Sequence, residues 1–152
     1  LLRTVADMDG HATLAQALHR LRTTLADRIL TALADVDIGA GCGPCRRLHM
    51  EQQRRMESRI GALRSQVREA LVGASPRLRQ LARLDATMQQ AFGEREQRLL
   101  ATLPTLLEQR FEHLPDAFVH LWRQVLLAEL ETRLLPVVGM IEAFSREDAQ
   151  WQ

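Results

Sequence analysis

Residues 42–49 read Cys-Gly-Pro-Cys-Arg-Arg-Leu-His, a spacing able to support thiol or metal chemistry. A thiolate is favoured at a helix N-terminus, where unpaired backbone N–H groups and the helix dipole stabilise negative charge. Pro44 suits a first helical turn, where its missing N–H is not needed, and Cys42 stands just ahead of it. Cys45, one turn on, could resolve a mixed disulfide. His49, four residues after Cys45 on the same helix face, could act as a base or as a third zinc ligand.

Helices must position these residues. The chain has 152 residues, 46% hydrophobic, 26% charged and only 4% aromatic, a globular composition long enough to bury one core. Leu, Ala, Arg, Glu and Gln dominate, all strong helix formers. Every basic residue is Arg, and Lys, Asn and Tyr are absent, a bias that fits a GC-rich gene. Leu14, Leu18, Leu21, Leu25, Ile29 and Leu33 predict a helix over 11–36, opened after Asp9-Gly10 and closed by the Gly-rich residues 37–41.

Met56, Ile60, Leu63, Val67 and Ala70 follow a 4-3-4-3 seam that extends back to Gln53 and His49, the spacing of a coiled-coil-like helix. Gly73-Ala74 ends it, and Ser75-Pro76 restarts the chain as N-cap and first helical residue. A third helix carries Leu78, Leu81, Leu84, Met88, Phe92, Leu99 and Leu103 on an apolar face, with Glu94 and Arg98 paired one turn apart. Pro104 inside that pattern predicts a kink or break, with a short helix through Leu106, Leu107 and Phe111 after it. A last long helix shows Phe118, Leu121, Trp122, Val125, Leu126, Leu130 and Leu134. Pro136 kinks or ends it, and Val138, Ile141 and Phe144 continue its face to about Arg146. The expected fold is all-α: an antiparallel helical bundle with proline kinks, one domain over 1–152. An opening Leu1 in place of Met reads as a fragment of a longer chain.

Charge and motifs exclude several functions. A net charge of +1 gives no overall field to steer polyanions. Residues 46–83 carry ten Arg against Glu51, Glu57 and Glu69. Without interleaved aromatics or a recognition-helix motif, this cluster reads as a solvated helix face, and nucleic-acid binding stays a weaker alternative. No apolar run reaches the roughly 18–20 residues that span a bilayer, so no membrane insertion is expected. Two cysteines at this spacing do not staple a secreted domain, and a reducing cytoplasm is the simplest setting. Glu-x-x-His pairs, phosphate loops and Gly-x-Ser-x-Gly elbows are all absent. Asp116 and His120, four apart, read as a solvated pair.

The Cys42–Cys45 spelling matches the core of a thioredoxin active site, but that fold needs strands this sequence does not supply. As CxxCxxxH it resembles the alkylhydroperoxidase D and carboxymuconolactone decarboxylase group, which pairs the motif with an upstream glutamate. Here no glutamate precedes Glu51. For zinc, Cys42, Cys45 and His49 make three ligands, and a fourth would have to come from a residue such as His11 or His19. The pair is read as incidental, with no catalytic, cofactor or metal site assigned.

Three stretches together resemble a different family. They are Gln53 to Arg64, Leu84-Asp85 with Glu94-Arg95-Glu96 and Leu99 to Pro104, and Leu127 to Ala143. They resemble an uncharacterised proteobacterial, Burkholderia-like family of helical domains of unknown function, over about residues 46–145. That resemblance implies no catalytic motif. It implies gene neighbours of stator-like proton-channel and OmpA-like kinds, and relatives with an aromatic-containing Pro-x-Arg-Arg segment where this chain has Gly-Pro-Cys-Arg-Arg.

The reading that results is a non-enzymatic helical adaptor with a protein partner, expected to self-associate as a homo-oligomer, and no small-molecule substrate. Its role would be accessory to a membrane-associated stator-like assembly. A small CxxC oxidoreductase or peroxidase using Cys42, Cys45 and His49 is the alternative. The expected partner interface is Phe118, Leu121, Trp122, Val125 and Leu126, with Val137 to Phe144, because a helix apolar over so much of its girth needs cover on more than one side.

Overall fold

Proline and glycine set where the helices stop. The computed structural model describes residues 2–37, 39, 41–113 and 117–150, and among these there is no strand. Five α-helices follow one another: α1 (Leu2–Ala34), α2 (Gly43–Ala74), α3 (Pro76–Leu100), α4 (Leu103–His113) and α5 (Phe118–Gln150). The all-α expectation holds.

Three boundaries fall as the residue chemistry requires. Gly41, just before α2, has φ +93°, a left-handed backbone that a Cβ would strain. Ser75 caps α3, its Oγ accepting from the Leu78 N–H at 3.2 Å, with Pro76 in the first turn. Pro104 breaks the third apolar pattern: α3 stops at Leu100, Ala101 and Thr102 form a turn, and Pro104 lies in the first turn of α4.

One expectation needs correction and one is narrowed. The first helix does not begin after Asp9-Gly10 but runs through Gly10 from Leu2. One interior Gly costs about 1 kcal/mol against Ala, too little to stop a long helix. Of the two outcomes expected at Pro136, a kink or an end, the end does not occur: α5 carries the proline inside it and continues to Gln150.

The packing is an antiparallel bundle with α2 and α5 at its centre. α5 packs on α1, α2, α3 and α4, α2 likewise packs on all four other helices, and α1 and α3 each pack on both α2 and α5. Contacts give the directions. His11 meets Phe144 edge-on, with centroids 6.1 Å apart, and Arg22 reaches Glu131 at 3.0 Å, so α1 runs antiparallel to α5. Arg64 meets Asp85, and Gln53 meets Leu100, so α3 runs antiparallel to α2.

The α1 stripe is buried at Leu14, Leu18, Leu25, Ile29 and Leu33, with Leu21 half-buried. The α2 seam is buried at Met56, Ile60, Leu63 and Val67. Its backward extension runs through Gln52 as well as His49, and Gln53 is half-buried beside them. Ile60 is 4% exposed while Arg59 faces solvent. Ile60→Ala is therefore expected to cost about 2–5 kcal/mol and Arg59→Ala under about 0.5, read by urea denaturation; equal losses would contradict the seam.

Candidate functional site

Glu129 sits on the apolar face of α5 with no side-chain exposure, and donors from two helices surround it. His49 Nε2 lies 2.9 Å from Glu129 Oε2. Trp122 donates its indole N–H to His49 Nδ1 at 3.2 Å. An Nδ1 that accepts carries no hydrogen, so the network assigns the neutral tautomer with its hydrogen on Nε2, donated to Glu129. The other carboxylate oxygen, Oε1, accepts from Gln53 Nε2 at 2.9 Å and from Arg133 Nη2 at 3.2 Å. Gln53 also donates to the Leu100 carbonyl at 2.9 Å. That carbonyl would have received the N–H of residue 104, which proline lacks. The Pro104 break and the buried carboxylate thus share one amide.

The cysteines stand at the edge of this network. Cys42 is the N-cap residue of α2 without a side-chain capping bond, and Cys45 is buried at 2% exposure. The space that Cys42 and Cys45 share with His49, Pro104, Phe118 and Trp122 admits no water-sized sphere. Burial, chiefly, raises the Cys42 thiol to about 11, with Cys45, Glu108 and Glu112 adding to it. Burial also pushes Cys45 up. Desolvation outweighs the helix terminus here, so both stay thiols at neutral pH, the unreactive form. His49 has both ring nitrogens engaged and no lone pair free for a cysteine or a metal. Among the described residues no three His, Cys, Asp or Glu side chains converge to hold a metal ion. His11 lies against Phe144, at the end of α5 away from Trp122, and His19 is exposed. Asp116 lies outside the described residues, and its proposed partner His120 is exposed.

The basic cluster is partly spent inside the fold. Arg64 grips Asp85 with two bonds of 2.9 and 2.7 Å, and Arg68 adds a third at 3.0 Å. Arg46 faces Glu108 and Arg55 faces Glu51.

The expected partner interface needs correction. Phe118, Trp122 and Leu126 are 1%, 1% and 0% exposed within the single chain. Val137, Met140, Ile141 and Phe144 are core as well. α5 is central, so its wide apolar girth is already covered by α1 to α4. Leu121 and Val125 are half-buried and line a shallow groove with Leu106 of α4.

Among the described residues, α3 carries more of the exposed large apolar side chains than any other helix. Leu84, Met88, Phe92 and Leu99 are 56%, 50%, 57% and 62% exposed. α3 buries Leu78, Ala82 and Asp85, and beyond Asp85 no residue up to Leu99 is buried. What holds this half to α2 is polar: Arg68 to Gln89, and Gln97 to Glu57. Met88 and Phe92 line a cleft of about 210 Å³ whose floor is Met56 and Ile60 and whose far wall is Pro136.

A family model described as a protein of unknown function (DUF3348) matches residues 3–120. The chain belongs to that family. In this DUF3348 member the matched residues take in α1 to α4 and the start of α5, so the α3 stripe falls inside them and Glu129 beyond. No curated protein and no solved structure matches the chain.

Sequence reasoning missed Glu129, Arg133 and the Arg64–Asp85 clamp. One signal was present: Glu129 stands at the core register of α5, seven residues after Trp122 and three after Leu126. A charge there requires buried partners.

Glu129→Leu should cost about 3–5 kcal/mol by urea denaturation, because it strands Arg133 and the His49 N–H. Because Cys45 is buried, Cys45→Ser should cost about 1–3 kcal/mol, and Cys42→Ser less than about 0.5. Because the folded state holds the Cys42 proton more tightly than the unfolded chain, its contribution to stability is complete below pH 9.0 and fades as pH rises to about 11. Iodoacetamide labelling of Cys42 should climb across the upper part of that window; half-maximal labelling at pH 9 or below would contradict the raised value.

Proposed function

We propose that the chain is a non-enzymatic helical interaction protein whose contact surface is the exposed stripe of α3. One observation carries this reading. From Leu84 onward α3 is tied to α2 by polar links through Gln89 and Gln97, while Leu84, Met88, Phe92 and Leu99 stay half or more exposed, Met88 and Phe92 along the cleft between α3 and α5. A helix gains nothing by presenting Met, Phe and two Leu to water, and contiguous apolar patches on soluble chains mark partner sites. The closed packing around Cys42 and Cys45, their raised proton affinity and the engaged His49 give thiol chemistry no comparable support. No helix among the described residues is long and apolar enough to cross a membrane, which fits an adaptor that meets any membrane assembly through protein contacts. A cytoplasmic accessory role beside a stator-like assembly, as the family resemblance implies, is the setting proposed for it.

The test is affinity capture from native cells with the wild type and a Met88→Glu, Phe92→Glu double variant. Both positions are at least half exposed, so the variant should lose less than about 1 kcal/mol of stability. A partner held by the wild type and lost by the variant supports the reading. Hydroperoxide or thiol-disulfide turnover that vanishes with Cys42→Ser would overturn it.

A further inference from the structure

We infer that the groove between α4 and α5 is a second contact site, separate from the α3 stripe, and that its occupant is an acidic amphipathic helix of a partner protein. The groove encloses about 540 Å³, against about 210 Å³ for the cleft beside α3. Leu103, Leu106 and Leu107 of α4 line one side, and Leu121 and Val125 of α5 the other, with Leu106 52% exposed. The polar side chains lining it are Gln109 and Arg110.

Charge says what covers it. Arg110 is the one charged residue of the lining. It stands seven residues after Leu103 and four after Leu106, so the three share one face of α4. Glu108 and Glu112 stand two residues to either side of Arg110, about 160° round the helix from it. Contacts agree: Glu108 faces Arg46 at 3.9 Å, and both carboxylates lie close enough to Cys42 to raise its thiol. On α5 the first carboxylate is Glu129, already held by His49, Gln53 and Arg133. Arg123, two residues from both Leu121 and Val125, falls on the other side of that helix. Among the described residues Arg110 enters no ion pair. The apolar face of α4 therefore carries a cation with no carboxylate to meet it.

Shape selects a helix as the source of that carboxylate. The groove follows α4 from Leu103 to Arg110, about two helical turns, and is open along one side. A small aliphatic acid lying there would keep much of its surface in water, whereas a helix satisfies its own backbone and needs only one face covered. An anionic membrane is met by clusters of basic side chains, and this groove holds one. Apolar anchors at i, i+4 and i+7 match its length, with an Asp or Glu beside the end anchor to meet Arg110.

The test is selection from a phage-displayed library of short amphipathic helices against the whole chain, with laurate below its micelle concentration as the competing small acid. The wild type should select helices bearing Asp or Glu one turn from their apolar anchors. Arg110→Glu should weaken those helices about tenfold, since an attraction becomes a repulsion, and should itself select Lys or Arg at that place. Leu106→Glu should abolish binding. Both residues are exposed, and circular dichroism should show unchanged helix content in each variant. A library that yields no Leu106-dependent binder, selected helices without an acidic preference, or equal binding to Arg110→Glu overturns the inference. So does a groove that takes laurate and no helix, which reassigns its occupant to a small aliphatic acid. Met88→Glu with Phe92→Glu should leave the selected helices bound. Their loss in that variant places them on α3, which overturns this site and leaves the stripe reading standing.

Discussion

A carboxylate taken wholly out of water must have its charge met by donors held in place, and the register of this bundle follows from meeting that need at Glu129. Its oxygens draw His49 and Gln53 from α2 and Arg133 from its own helix. Through His49 the network fixes the indole of Trp122, and through Gln53 it reaches the last carbonyl of α3. Sliding α2 by one turn along α5 would leave several donors and one charge unpaired in the core. Apolar stripes alone tolerate such slips at modest cost, since Leu packs on Leu in many registers. The polar cluster narrows the choice to one, the role best attested for buried polar groups in helical assemblies.

The helices and their apolar faces were legible because period and punctuation coincide. The steps through Leu14 to Leu33 and Met56 to Val67 each define one buried stripe, and Ser75, Pro76 and Pro104 mark boundaries by backbone chemistry that acts locally. Gly10 misled because its cost is small against the length of helix around it. The networks were not legible, because nothing in the sequence says that Glu129 and His49, 80 residues apart, share a hydrogen bond. The apolar girth of α5 was read correctly as needing cover on several sides, but periodicity does not say whether that cover comes from the same chain. In the fold α5 takes the centre, and the deficit of cover moves to α3, whose stripe looks like core in the sequence and stands in water in the structure.

The cysteine pair shows how local pattern and tertiary surroundings oppose each other. Position at a helix start argues for a thiolate, and that argument holds for an open terminus. Here Phe118, Trp122 and Pro104 close over the site, and Glu108 and Glu112 add negative potential. Burial wins because the dipole of a solvated helix end contributes at most about 1 kcal/mol, while each unit of pKa displacement is worth about 1.4 kcal/mol.

The central place of α5 has a consequence for the order in which the chain becomes a protein. α5 is the last of the five helices to leave the ribosome, yet it shares with α2 the place against which all the others pack. Until it emerges, α1 has only α2 to pack on, α2 has α1, α3 and α4, and the half of α2 around His49 lacks its acceptor. Contacts such as His11 with Phe144 join residues separated by nearly the whole chain, an unusually long loop to close for an all-helical fold, and long-range closure slows folding. The nascent bundle therefore waits with the α1 stripe and the α5-facing side of α2 uncovered, and α5 closes them last.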